Sequence, residues 1–265
     1  MVSQGKRSVN NRFVNHEPEI VGAAALGPPG LDPLPRPLRD PQPMLDRVIH
    51  EWGGHQDLWL FGYGSLIWKP EFDFAEHRPA RVHGWHRALK MWSRINRGSP
   101  DNPGLVFGLL TGGSCQGLVF RIPAGQGLET LGRLWLREMP TGVYDPRWLH
   151  CTTPGGAVRA LAFTLSRRSP NFTGTLPDAR YREIFATAAG RYGTSLDYAR
   201  QTLEELRRHG IRDQALARLL RLAESLEQAA SADAAAPAGS ATLHPSSQPP
   251  PGRQPPPSSS SNGAS

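Results

Sequence analysis

A single carboxylate interrupts an otherwise apolar stripe in this chain. Leu128, Leu131 and Trp135 recur at i, i+3 and i+7, and three positions further the same face reaches Glu138. That spacing predicts a helix, opened by Pro123, with these residues turned inward. A carboxylate on such a face loses water, which is costly unless a partner compensates or the pKa rises. A raised carboxylate is what a general base or acid needs near neutral pH. The alternative on spacing alone is that the helix ends here and Glu138 turns to solvent, or to Arg137 or Arg133.

The second candidate is the segment Phe61-Gly62-Tyr63-Gly64-Ser65-Leu66. An apolar strand runs into a loop with two glycines and a serine. Glycine admits close approach, so consecutive backbone N–H groups of this loop can face an anion. The alternative is an ordinary glycine bend in a strand. Other chemistries fit less well. A dinucleotide fingerprint needs glycine at 67, where Ile67 stands, and no Gly-Lys-Ser/Thr follows to make a phosphate loop. Ser65 lacks the GxSxG frame of a hydrolase nucleophile. His77, His83 and His86 have no HExxH or cysteine partner, so no metal is expected. Cys115 and Cys151 are read as small core residues.

These groups need elements to hold them. Trp59-Leu60-Phe61 reads as a strand. Leu105-Val106-Phe107 and Leu118-Val119-Phe120 flank Thr111-Gly112-Gly113-Ser114, which predicts a hairpin. Leu161, Phe163 and Leu165 alternate as in a half-buried strand. Met44, Leu45, Val48, Ile49 and Trp52 share one face of a short helix. Tyr181, Ile184, Phe185, Ala188 and Tyr192 form a later helical stripe. Ser195 is the expected N-cap of a helix carrying Leu196, Ala199, Leu203 and Leu206, which Gly210 stops. Leu216, Leu219, Leu220 and Ala223 begin a third helix. Strands in the front half with one inserted helix, followed by helices, argue an α+β fold.

Composition bounds the rest. The 265 residues carry 28 glycines and 26 prolines and are 38% hydrophobic, which suggests a folded core between disordered flanks. We expect a disordered arm over 1–43, a folded domain over 44–228 and a disordered Ala/Ser/Pro-rich tail over 229–265. The formal charge is +7 and the sequence pI about 10.0. Within the expected folded domain the only dense basic pairs are Arg167-Arg168 and Arg207-Arg208, too thin for a nucleic-acid footprint. The scattered Trp85, Trp92, Trp135 and Trp148 read as core rather than a base-stacking platform. Two unclustered cysteines and no long apolar run predict a soluble, cytoplasmic protein without a membrane span.

Taken together, these residues resemble a known family. Phe61 to Trp68 looks like the opening motif of ChaC-type γ-glutamyl cyclotransferases. Trp135-Leu136-Arg137-Glu138, followed by Gly142 and Tyr144, is similar to their catalytic Arg-Glu segment. The likeness continues at Arg87, Arg97-Gly98, Pro103-Gly104, Asn171 to Gly174 and the helix bearing Tyr198, covering roughly 57–223. Met139 to Tyr144 departs from it by a longer, proline-containing loop. The resemblance implies a small mixed β-barrel with flanking helices and no cofactor. It implies Glu138 as the catalytic group, with Phe61, Gly62, Tyr63, Gly64, Ser65, Leu66, Tyr144 and Tyr198 binding substrate. The implied reaction cleaves a γ-glutamyl peptide, glutathione foremost, to 5-oxoproline and cysteinylglycine. Two other readings stay open: a cyclotransferase for other γ-glutamyl amino acids or amines, and a non-catalytic regulator linked to cation transport, the family's older label.

Overall fold

The computed structural model describes residues 39–235, with side chains through Glu224. The expected arm and tail lie largely outside these residues. Helix α1 spans Gln42–Trp52; Pro43 near its start suits the fixed φ of a first turn, and Gly53 at φ 77° closes it. Strand β1 (Leu58–Gly62) leads into a single helical turn, α2 (Ser65–Trp68). Two long strands follow, β2 (Glu76–Ser93) and β3 (Gly104–Ile122), then helix α3 (Ala124–Glu138). Strands β4 (Asp145–Thr153) and β5 (Gly156–Thr164) form the last hairpin of the sheet. Helix α4 (Asp178–Thr187), the short pair β6 (Ala189–Gly190) and β7 (Gly193–Thr194), α5 (Ser195–Arg208) and α6 (Gln214–Ala235) complete the chain.

The sheet closes on itself in the order β1-β3-β2-β4-β5. Most pairings are antiparallel; β5 closes the barrel in parallel against β1, at Leu60–Leu161, and against β3, at Leu109–Thr164. The barrel is therefore small and mixed, and the helices pack outside it. Leu58, Leu60, Phe61, Leu109, Leu118 and Phe120 are each nearly fully buried. Burial of each such side chain stabilises the fold by about 1.5–3 kcal/mol. Helix α1 lies on α3 where Trp52 takes the space above Gly127; a Cβ there would sit 2.2 Å from the indole.

Four local expectations are corrected. Thr111 to Ser114 is no hairpin turn: β3 runs straight through it, paired with β2 on both sides. Gly84 of β2 faces both Gly112 and Gly113, and all three have positive φ. This is a bulge of one residue against two, and the glycines that suggested a turn serve that bulge instead. Strand β2 is polar and basic, so its pairing was not legible beforehand. Leu128 is 58% exposed, because the inward face of α3 at that level is Gly127 under Trp52. Tyr192 is also exposed, since α4 ends at Thr187 and the chain turns into β6 and β7. The cap of α5 is Thr194, whose hydroxyl accepts from Asp197 N–H at 3.0 Å. Ser195 is the buried first residue of that helix; its Oγ accepts from Leu105 N–H and donates to Arg97 O.

Candidate active site

Strand β1 delivers the glycine loop to one end of the barrel. At Gly62 a Cβ would stand 3.0 Å from Phe120 and 3.3 Å from Leu66, so the chain can fold tightly from β1 onto α2 only without a side chain there. Phe61 points into the barrel and stacks on Tyr63 at 6.5 Å. Tyr63 is buried and its hydroxyl donates to Phe163 O at 2.7 Å, fixing the ring across the barrel mouth. Gly64 follows, with its Cβ position 2.9 Å from the Tyr198 hydroxyl. Ser65 opens α2, and its Oγ accepts from Arg137 at 3.2 Å.

Glu138 is the last residue of α3, and its side chain is 15% exposed. The helix thus ends at the carboxylate without turning it to solvent. Burial raises the Glu138 pKa, while Arg137, at 2.9 Å from Oε1, pulls it back and the Glu71 charge pushes it further up. The net direction is upward. Arg137 is itself anchored on the chain beyond α2: it donates to Lys69 O and Pro70 O and pairs with Glu71 at 2.8 Å. Glu71 holds a left-handed φ of 57°, uncommon for a residue with a side chain.

Two tyrosines arrive from distant parts of the chain. Tyr144 closes the Met139–Tyr144 loop ahead of β4 and is buried. Arg39 clamps that loop, donating to Gly142 O at 3.0 Å and Tyr144 O at 2.8 Å and pairing with Asp145 at 2.7 Å. Gly142 has φ 61°, and a Cβ there would lie 2.3 Å from Arg39 O, so the clamp needs glycine. Tyr198 comes from α5, its ring against Phe107 and under the Arg97 guanidinium, 5.1 Å away. Its hydroxyl accepts from Phe107 N–H at 3.4 Å. That amide faces a second irregularity in β2, where Leu89 and Lys90 stand opposite Phe107 alone. Bulges commonly redirect groups beside a site in this way. Burial pushes the Tyr198 phenol up to about 12 and raises Tyr63 and Tyr144 well above their ordinary value. All three are therefore neutral donors near pH 7.

One cavity is lined by Tyr63, Gly64, Ser65, Leu66, Glu138, Tyr144 and Tyr198, together with Phe107 and Phe163. Phe61 and Gly62 do not line it; they support it from behind. The two phenylalanines escaped the sequence reading because each looked like an ordinary core residue of a strand. Beyond Arg137 a separate groove of about 200 Å³ is bounded by Glu71, Phe72 and Arg133. Among the described residues no group of three or more His, Cys, Asp or Glu is placed to hold a metal ion. Among them too, no helix is long and apolar enough to cross a membrane.

Chemically, the cavity offers a base of raised pKa, three neutral phenols and a loop of backbone amides. Comparison with known proteins bears on the chain as a whole. A family model for ChaC-like proteins matches residues 58–226. A glutathione-specific γ-glutamylcyclotransferase of Escherichia coli (strain K12) is 34% identical over 164 residues, covering 62% of this chain and 71% of that protein. Glutathione-specific γ-glutamylcyclotransferase 1 of Rattus norvegicus is 32% identical over 181 residues, covering 66% and 78%. A crystal structure of a γ-glutamyl cyclotransferase specific to glutathione, from yeast, superposes with a TM-score of 0.60 at 20% identity, covering 64% of this chain and 97% of the other. The last likeness concerns the fold.

Proposed function

The chain belongs to the ChaC-like family, and on that premise we propose that it is a γ-glutamyl cyclotransferase that converts glutathione to 5-oxoproline and cysteinylglycine. The observation that carries the reading is the meeting of Glu138 and the Tyr63–Leu66 loop in one cavity. The loop amides receive the substrate α-carboxylate or the oxyanion that forms at the γ-carbonyl. Held this way, the glutamyl group brings its own α-amine against its γ-carbonyl. Such intramolecular positioning supplies about 7 kcal/mol or more of the barrier.

Glu138 performs the proton transfers. It takes a proton from the α-ammonium, which frees the nitrogen lone pair to attack the γ-carbonyl carbon. The attacking nitrogen loses a second proton as the ring closes; Glu138 returns its proton to the cysteinyl nitrogen as the amide C–N bond breaks, and the second proton ends on that same nitrogen, so cysteinylglycine leaves as an ammonium. The balance is one amide formed and one broken, with no water consumed. Arg137 holds the ionised carboxylate in place, and the neutral phenols of Tyr144 and Tyr198 donate to substrate oxygens. Phe107 and Phe163 keep water from the intermediate. A cytoplasmic setting suits this enzyme, because Cys115 and Cys151 are free and buried, as in a reducing compartment.

The test is direct. Purified protein with glutathione should release 5-oxoproline and cysteinylglycine in equal amounts. Absence of 5-oxoproline from glutathione, with release from other γ-glutamyl amino acids, would move the substrate assignment; absence from all of them would end the reading.

Arg39 supplies a second expectation. Its three contacts hold the loop that carries Tyr144, yet its side chain is 47% exposed. Exposed ion pairs contribute little stability. Arg39→Ala should therefore shift the melting temperature by only a few degrees, while kcat/KM falls about tenfold through misplacement of Tyr144. An unchanged kcat/KM would show that the loop holds itself.

A further inference from the structure

Arg87 has a buried cationic side chain for which the reaction has no use. It sits on β2 with a side chain only 4% exposed and does not line the cavity. Each nitrogen of its guanidinium is engaged. Nε and Nη2 both reach Asp213 Oδ2, at 3.0 and 2.5 Å. Nη1 donates to Tyr63 O at 3.0 Å and Gln116 O at 3.1 Å, with Cys115 Sγ at 3.8 Å. Asp213 is fixed in turn, because its other oxygen accepts from Leu216 N–H at 2.9 Å and caps α6. One planar cation thus ties the start of α6 to the glycine loop, 126 residues from Arg87 to Asp213 along the chain.

The contact with Tyr63 O is the informative one. A trans peptide is planar, with its C=O and N–H pointing to opposite sides. Holding the Tyr63 carbonyl therefore also sets the direction of the Gly64 N–H, away from Arg87. Tyr63 and Gly64 both line the cavity, whereas Arg87 stands behind them. We propose that Arg87, held by Asp213, is a positioning residue that locks the Tyr63–Gly64 peptide so that the Gly64 N–H faces the substrate. This rests on the cyclotransferase reading for its kinetic consequence, though not for its structural one. A lysine could keep the charge opposite Asp213, but its single ammonium cannot span Asp213 and two carbonyls as the guanidinium fork does.

The experiment compares wild type with Arg87→Lys by thermal melting, by glutathione kinetics and by amide hydrogen exchange of the peptide covering Tyr63 to Leu66. The expected result is a folded variant whose KM for glutathione rises at least about tenfold with a smaller change in kcat. Exchange in the loop should accelerate while the barrel strands keep their protection. If Arg87→Lys does not fold, Asp213→Asn replaces it: asparagine retains a capping oxygen for Leu216 but removes the charge that holds Arg87. That variant should show the same KM rise from a position outside the cavity. Wild-type KM with unchanged loop exchange would overturn the proposal. So would a loss of activity that matches the loss of folded protein, since that is what a purely structural pair would give. If wild type itself fails to release 5-oxoproline, the cyclotransferase reading falls, and loop exchange alone still decides whether Arg87 locks the peptide.

Discussion

Glu138→Gln should lose at least about a hundredfold in kcat, the usual contribution of a positioned general base, and should melt no earlier than wild type at neutral pH. The second half follows from the sign of the pKa shift. Burial raises the folded-state pKa of Glu138 above the value in the unfolded chain. The folded protein therefore binds that proton more tightly, and stability falls as pH rises through the window between the two values. Above the window the whole cost of burying the charge remains. Glutamine keeps the shape and removes the charge, so the cost disappears. The lost attraction to Arg137 opposes this gain, but the net direction is upward, so burial outweighs the arginine. Melting curves at neutral pH should place the variant level with or above wild type, and the difference should shrink in acid, where Glu138 is protonated anyway. The acid limb of the wild-type pH profile should lie above the ordinary value for a glutamate. A variant with near-normal turnover would remove Glu138 from the role of base. One that unfolds at neutral pH would mean that the Arg137 pair dominates.

Gly64→Val should abolish measurable turnover, lowering kcat/KM by about a hundredfold or more through displacement of the groups that hold the substrate, while the barrel stays folded. The reason differs from the one its glycine suggests in sequence. Gly64 has φ −137°, so it does not occupy the left-handed region for which glycine is usually required. What excludes a side chain is Tyr198, whose hydroxyl would lie 2.9 Å from the new Cβ, with Phe107 Cβ at 3.6 Å. Tyr198 cannot swing away cheaply, since its ring is packed by Phe107, Trp68 and Arg97. The branched side chain then displaces the phenol and occupies the cavity that Glu138 faces. Gly62→Val makes the control. Its Cβ would press on Phe120 and Leu66 in the core, so that variant should lose stability first. Melting temperature and substrate titration separate the two. A Gly64→Val protein that melts normally and turns over normally would detach this loop from the site.

Local patterns carried much of this without any coordinates. The stripe Leu131, Trp135, Glu138 placed a carboxylate on the inward face of a helix, and α3 puts it there. The apolar face of α1 and the strand entering the glycine loop were legible for the same reason. Periodicity and turn chemistry act over a few residues, so they leave their mark on neighbours in the chain. The same locality explains the errors. Glycines at 112 and 113 signal a positive φ equally well in a hairpin turn and in a bulge, and only the long partner strand β2 selects the bulge. The stripe failed at Leu128 because a tryptophan from another helix had already covered Gly127.

What tertiary structure alone decided is the company Glu138 keeps. Tyr144 and Tyr198 were legible as family positions, but Phe107 and Phe163 had no signature beyond that of core strands. All four meet because β5 closes the barrel against β1 and β3, which brings Phe163 O to Tyr63, and because α5 packs on β3, which brings Tyr198 to the Phe107 amide. The clamps that hold the loops, Arg39 on Tyr144 and Arg87 on Tyr63, likewise join segments far apart in the chain. Hydrogen bonds of that kind depend on where the closed sheet puts two backbones, and residues so distant in sequence share no local pattern from which the contact could be read.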